Sequence, residues 1–126
     1  MNRQSHLDWT SDLLAEGLAR YRAREFFEAH ESWESAWLKL DEPEKSFLQA
    51  LIQVTAAFHH LHRGNLVGAR SLLRRSLCRL EQCPPVFGGL FLAPLLNEIC
   101  AWLAALEADA PHPPSYPRIS PLPPSD

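Results

Sequence analysis

Cysteine is scarce in this chain of 126 residues. Cys78, Cys83 and Cys100 are odd in number and form no CxxC pair, so neither a disulfide framework nor a thiolate metal site is expected. No apolar run reaches the roughly 18–20 residues of a membrane span, which excludes a membrane helix. The segment Met1–Asp8 lacks the apolar stretch of a signal peptide, and the cytoplasm is the expected compartment. Strand signals are nearly absent. There is no Gly-rich phosphate loop, no nucleophile elbow and no Cys-His arrangement with a base, so no enzyme class is indicated. The formal charge is −3, which does not suit a whole-molecule polyanion binder.

What remains is an ordinary globular composition, 46% apolar and 21% charged, with helical periodicity over most of the first 110 residues. One stretch, residues 25–37, organises the rest. At about 100° per residue, Phe26, Ala29, Trp33 and Trp37 fill one side of a helical wheel, and Phe27 and Leu38 flank it on the other. His30 and Glu34 fall between the two groups. Glu25, Glu28, Ser32 and Ser35 take the opposite, solvent side. A histidine and a carboxylate on a face that is otherwise apolar must be satisfied by partners.

The pattern predicts five helices. The first opens near Thr10 or Ser11, with Trp9 placed to staple it and Leu14, Gly17, Leu18 and Tyr21 as its stripe. The second is the stretch just described. Asp41-Glu-Pro-Glu44 reads as a capping box for a third helix reaching about Arg63, apolar around most of its circumference and therefore central. Its one different strip carries Gln49, Gln53 and His60 among Ala50, Ala56 and Ala57. Gly64 and Asn65 stop it and cap a fourth helix with Leu66, Ala69, Leu73, Leu77 and Leu80 on one face. Residues 83–89 read as a loop, and a fifth helix starts near Pro94. From Pro111 onward seven of sixteen residues are proline, which predicts an extended or disordered tail.

Residues 17–37 and 57–77 align at an offset of 40. Gly17, Leu18, Tyr21, Phe26, Ala29, Trp33 and Trp37 match Ala57, Phe58, Leu61, Leu66, Ala69, Leu73 and Leu77. The expected fold is all-α: a five-helix bundle of two similar αα-hairpins plus a closing helix. Residues 1–110 form a single helical domain, and residues 111–126 are the Pro-rich tail.

The segment Phe26-Phe-Glu-Ala-His-Glu-Ser-Trp-Glu-Ser-Ala-Trp37 resembles the signature of a bacterial and archaeal family called domain of unknown function 309. So do Phe47-Leu-Gln-Ala-Leu-Ile-Gln53, Ala56-Ala-Phe-His-His60, Gly64-Asn65 and Gly68-Ala69. The resemblance covers roughly residues 18–80. It implies a small all-α fold and no established activity. Ala50 stands where the family pattern usually has glycine.

The candidate polar site comprises His30, Glu31, Glu34, Gln49, Gln53 and His60. One reading is a buried hydrogen-bond network in which Glu34 contacts Gln49 or Gln53. The alternative, less favoured, is a divalent metal held by His30, Glu34 and His60, with the glutamines as orienters. His-Glu-x-x-Glu is not the zinc-protease spacing. His59, His60 and His62 point in different helical directions and cannot chelate together. A basic patch of Arg63, Arg70, Arg74, Arg75 and Arg79 has no acid within it. Without aromatic interleaving it suits a solvated face or self-association better than nucleic acid. The sequence therefore points to a non-enzymatic interaction module with a protein partner or self-association. A ligand- or metal-binding protein, with metal-dependent hydrolysis as its catalytic form, is the alternative.

Overall fold

A computed structural model describes residues 7–123. Five helices, α1 (Asp12–Arg22), α2 (Phe26–Trp37), α3 (Glu44–His62), α4 (Leu66–Glu81) and α5 (Leu92–Ala108), follow one another, and each packs on the next in sequence up to α4 on α5, with α3 on both α2 and α4. Among the described residues the architecture is all-α apart from one two-stranded ladder, β1 (Val86–Phe87) with β2 (Leu90–Phe91). Its first strand lies in the segment 83–89 expected to be loop, and its second falls between that loop and the helix expected from Pro94. Gly88 and Gly89 both take positive φ, +59° and +79°, which closes the tight hairpin between two-residue strands. Two residues per strand is too short for alternation to register in the sequence.

The third helix is the hub. Eleven of its nineteen residues are buried, which requires neighbours on several sides. Leu48, Leu51, Val54 and Phe58 are fully enclosed. The buried hydroxyl of Thr55 donates to the carbonyl of Ile52 at 2.7 Å, so it needs no outside partner. Asp41 supplies no side-chain cap. Instead Glu42 Oε1 accepts from the backbone N–H of Ser46 at 2.9 Å, one helical turn further in. Asn65 does cap α4, accepting from the Gly68 N–H at 2.9 Å.

The buried face of α2 is rotated from its expected phase. Phe26, Ala29, Ser32 and Trp33 are buried, whereas Phe27 and Leu38 are 45% and 69% exposed. The cause is α1, which covers the Ser32 side. The Ser32 hydroxyl donates to Glu16 Oε2 at 2.5 Å, and the Trp33 indole donates to the Leu14 carbonyl at 3.2 Å. Ser32 therefore lies inside the α1–α2 contact instead of facing water. Trp37 is half-buried, with the Lys45 ammonium 4.3 Å from its ring centroid.

Residues 109–123 carry no regular structure but are tied down. Tyr116 stacks on Trp102 with centroids 5.1 Å apart and meets Phe26 and Phe58 edge-on at 4.9 Å each. The Tyr21 hydroxyl donates to the Pro117 carbonyl at 2.5 Å, and burial pushes its pKa up, keeping it a donor. Ile119 is 2% exposed and joins the core. The Pro-rich segment is a strap across α1, α2 and α5. The last three residues of the expected tail and the first six of the chain lie outside the described residues.

Candidate functional site

The largest concavity among the described pockets is a groove of about 840 Å³ between one face of α3 and one face of α4, closed at an end by the hairpin. Helical spacing builds both walls. Ser46, Phe47 and Gln53 lie on α3 with Pro43 at its N-cap, Gln53 about two turns beyond Ser46, and Arg75, Cys78 and Arg79 on α4, with Gln82 at its C-cap, recur at three and four. Pro84 and Phe87 complete it, with Phe87 set edge-on against Phe47 at 5.2 Å. The volume lies within the range of organic ligand sites.

Its electrostatics are positive. Arg74 is held by Glu107 of α5, both Nε and Nη2 donating to one carboxylate oxygen at 3.0 and 2.7 Å. Arg75 and Arg79 form no ion pair among the described residues. They face a single carboxylate in the groove, Glu42. Hydrogen bonding from Ser46 holds the Glu42 carboxyl below its usual range, with Lys45 and Arg79 acting in the same direction. Two uncompensated guanidinium groups against one carboxylate leave the groove cationic.

Gln53 is 6% exposed, and its carboxamide oxygen is buried without a hydrogen-bond partner among the described residues. An unmet buried acceptor costs about 1–3 kcal/mol. Cys83 also lines the groove; its thiol donates to the Arg79 carbonyl at 3.5 Å, and burial raises its pKa.

The residues singled out from sequence are distributed differently from expectation. Glu34 is exposed, its side chain 57% accessible, and no hydrogen bond joins it to Gln49 or Gln53 among the described residues. That overturns the buried His/Glu/Gln network, and the rotated face of α2 is the reason. His30 Nε2 stands 3.6 Å from Glu34 Oε2, too far for a hydrogen bond, while its Nδ1 is buried and unpartnered. Glu31 is exposed and Gln49 half-buried. His60 Nδ1 lies 3.1 Å from the Asn65 side-chain nitrogen, at the start of α4. Among the described residues no three His, Cys, Asp or Glu side chains converge to hold an ion, so His30, Glu34 and His60 are not assembled as a ligand set.

His30 instead joins a small aromatic surface cluster. Phe27 stacks over it at 6.4 Å and meets His59 at 5.2 Å. Burial lowers the His59 pKa, and Arg63, His60 and His30 add repulsion.

The expected basic patch divides. Arg74, Arg75 and Arg79 line the groove, while Arg63 and Arg70 do not. Sequence reasoning missed Ser46, Phe47, Cys78, Gln82 and Phe87. The i, i+3, i+4, i+7 series of residues 75, 78, 79 and 82 was the available signal on α4. Its meeting with the Gln53 side of α3 is a tertiary fact. No helix among the described residues is long and apolar enough to cross a membrane.

Residues 14–72 match the family model described as Domain of unknown function (DUF309). A relative in Aquifex aeolicus (strain VF5), described as an uncharacterized protein, is 30% identical over 94 residues, covering 74% of this chain. The chain spans about a quarter of that relative's length, since the match covers 27% of it. The family match contains the α3 wall of the groove and stops before Arg75, Cys78 and Arg79.

Proposed function

We propose that this chain, similar over residues 14–72 to a family whose activity is not established, binds a small anionic organic molecule in the α3–α4 groove. The observation that carries the reading is Gln53: a buried, unpartnered acceptor on the wall of a groove that also presents Arg75 and Arg79. Guanidinium groups recognise carboxylate or phosphate through paired N–H donors. Phe47 and Phe87 offer apolar surface to a carbon skeleton, and the Gln53 oxygen requires a hydroxyl or N–H on the same molecule. The groove is lined by no histidine, and its one carboxylate is kept ionised and weakly basic, which supports recognition over turnover.

Thermal unfolding in citrate, inorganic phosphate and chloride at matched ionic strength tests this. Citrate raises the Tm of the wild-type chain above the chloride control, and the Arg75→Gln/Arg79→Gln double variant loses that rise. Equal shifts in both proteins would place the effect outside the groove.

A protein contact on the outer face of α2 is the second reading, favoured by the exposure of Phe27 and Leu38 on one side of that helix. Sedimentation of wild type against Phe27→Lys tests for self-association. A concentration-dependent mass that the substitution abolishes supports it; two monomeric profiles contradict the self-association form.

A further inference from the structure

We propose that Cys78 is a site of reversible thiolation by small anionic disulfides, selected by the arginines around it, and that the mixed disulfide closes the groove to its ligand. The inference rests on the groove being an anion site. Arg74 and Arg75 precede Cys78 by four and three residues, so both lie beside it on the helix surface, and Arg79 follows it. All four side chains line the same groove, and the Cys78 thiol is exposed.

The three cysteines of the chain differ in ways that isolate Cys78. Cys83 shares the groove but is half-buried, with its thiol engaged by the Arg79 carbonyl and its pKa raised by burial. It is the poorer nucleophile. Cys100 is also exposed but stands on α5, outside the groove. Gln53, 6% exposed and with its carboxamide oxygen unpartnered among the described residues, lines the same groove, and a peptide-like disulfide carries both amide N–H groups and carboxylates.

The chemistry is thiol–disulfide exchange. The Cys78 thiolate attacks one sulfur of the small disulfide; the old S–S bond breaks as the new one forms. The second half leaves as a thiolate and takes a proton from solvent. Cys78 is oxidised to the mixed disulfide and the small disulfide is reduced to one free thiol. The arginines act on encounter, by raising the local concentration of the anionic reagent.

The test uses the full chain, with glutathione disulfide as the anionic reagent and cystamine as the cationic one, and follows each cysteine by peptide mass mapping over time. With glutathione disulfide, Cys78 reacts about tenfold faster than Cys100, an advantage of the size electrostatic steering provides. The ratio falls towards one with cystamine, in the Arg75→Gln/Arg79→Gln variant, and at high salt. Citrate protects Cys78 and leaves Cys100 unaffected. Thiolated wild type loses the stabilisation by citrate, and reduction restores it. A Cys78-to-Cys100 ratio that is the same for both disulfides overturns the thiolation site. If citrate still stabilises the wild type in that case, the anion groove stands without it; if citrate has no effect either, the groove reading fails as well.

Discussion

Gly17 lies directly beneath the indole of Trp33: a β-carbon at position 17 would stand 2.3 Å from Trp33 Nε1. Trp33 is fully buried and anchors α2 on α1 through the Leu14 carbonyl. The absent side chain is therefore what allows the two helices to approach. Gly17→Ala gains up to about 1 kcal/mol of helix propensity but forces the ring or the helix to move. Overpacking of this kind costs about 1–3 kcal/mol, so the variant is expected to be less stable in a denaturant melt. A more stable variant would show that the interface can relax freely.

The apolar stripes that carry Gly17 and Trp33 were legible in the sequence, but that the two residues meet was not. Nor was the phase of α2. Phe27 and Leu38 are apolar, and a wheel that counts residue types assigns them to the core. Only the presence of α1 against Ser32 decides otherwise. Glu34 moved to solvent with that rotation, and the predicted network went with it. The groove was half legible: Gln53 and the arginines stood out singly, but nothing local says that residues 53 and 75–79 share one cavity.

Gln53→Leu separates stability from binding. The substitution removes a buried acceptor without a partner, so folding stability is expected to stay level or rise by up to about 2 kcal/mol. Citrate binding measured by calorimetry is expected to fall at least about tenfold if one hydrogen bond to the ligand is lost. A large loss of stability would show that the amide has a structural partner within the fold.

The strap is structural. Ile119→Ala deletes a side chain that is 2% exposed and is expected to cost about 2–4 kcal/mol. Ser120→Ala, at an exposed neighbour, is expected to change stability by less than about 0.5 kcal/mol. Denaturant melts that rank the two alike would mean that the strap is not packed.

His59 supplies a pH dependence with a definite sign. Its folded-state pKa is lowered from 6.5, chiefly by burial, so the unfolded chain binds the proton more tightly. The stability contributed by neutral His59 is fully present above the unfolded value and is lost as pH falls through the lower folded one. Between about pH 7.5 and about pH 5, spanning the ordinary histidine range, the wild-type Tm is expected to fall more steeply than that of His59→Gln. Parallel curves would contradict this assignment.

The central claim is that Gln53, Arg75 and Arg79 form one anion-recognition site, and an NMR titration with citrate examines it atom by atom. The side-chain amide signals of Gln53 and the Nε–H signals of Arg75 and Arg79 are predicted to shift together along one saturable curve, while Arg22, which donates to the Ile119 carbonyl, and Arg118, which pairs with Glu98, stay still. Shifts spread over all the arginines without saturation, or a Gln53 signal that does not move, would contradict the site.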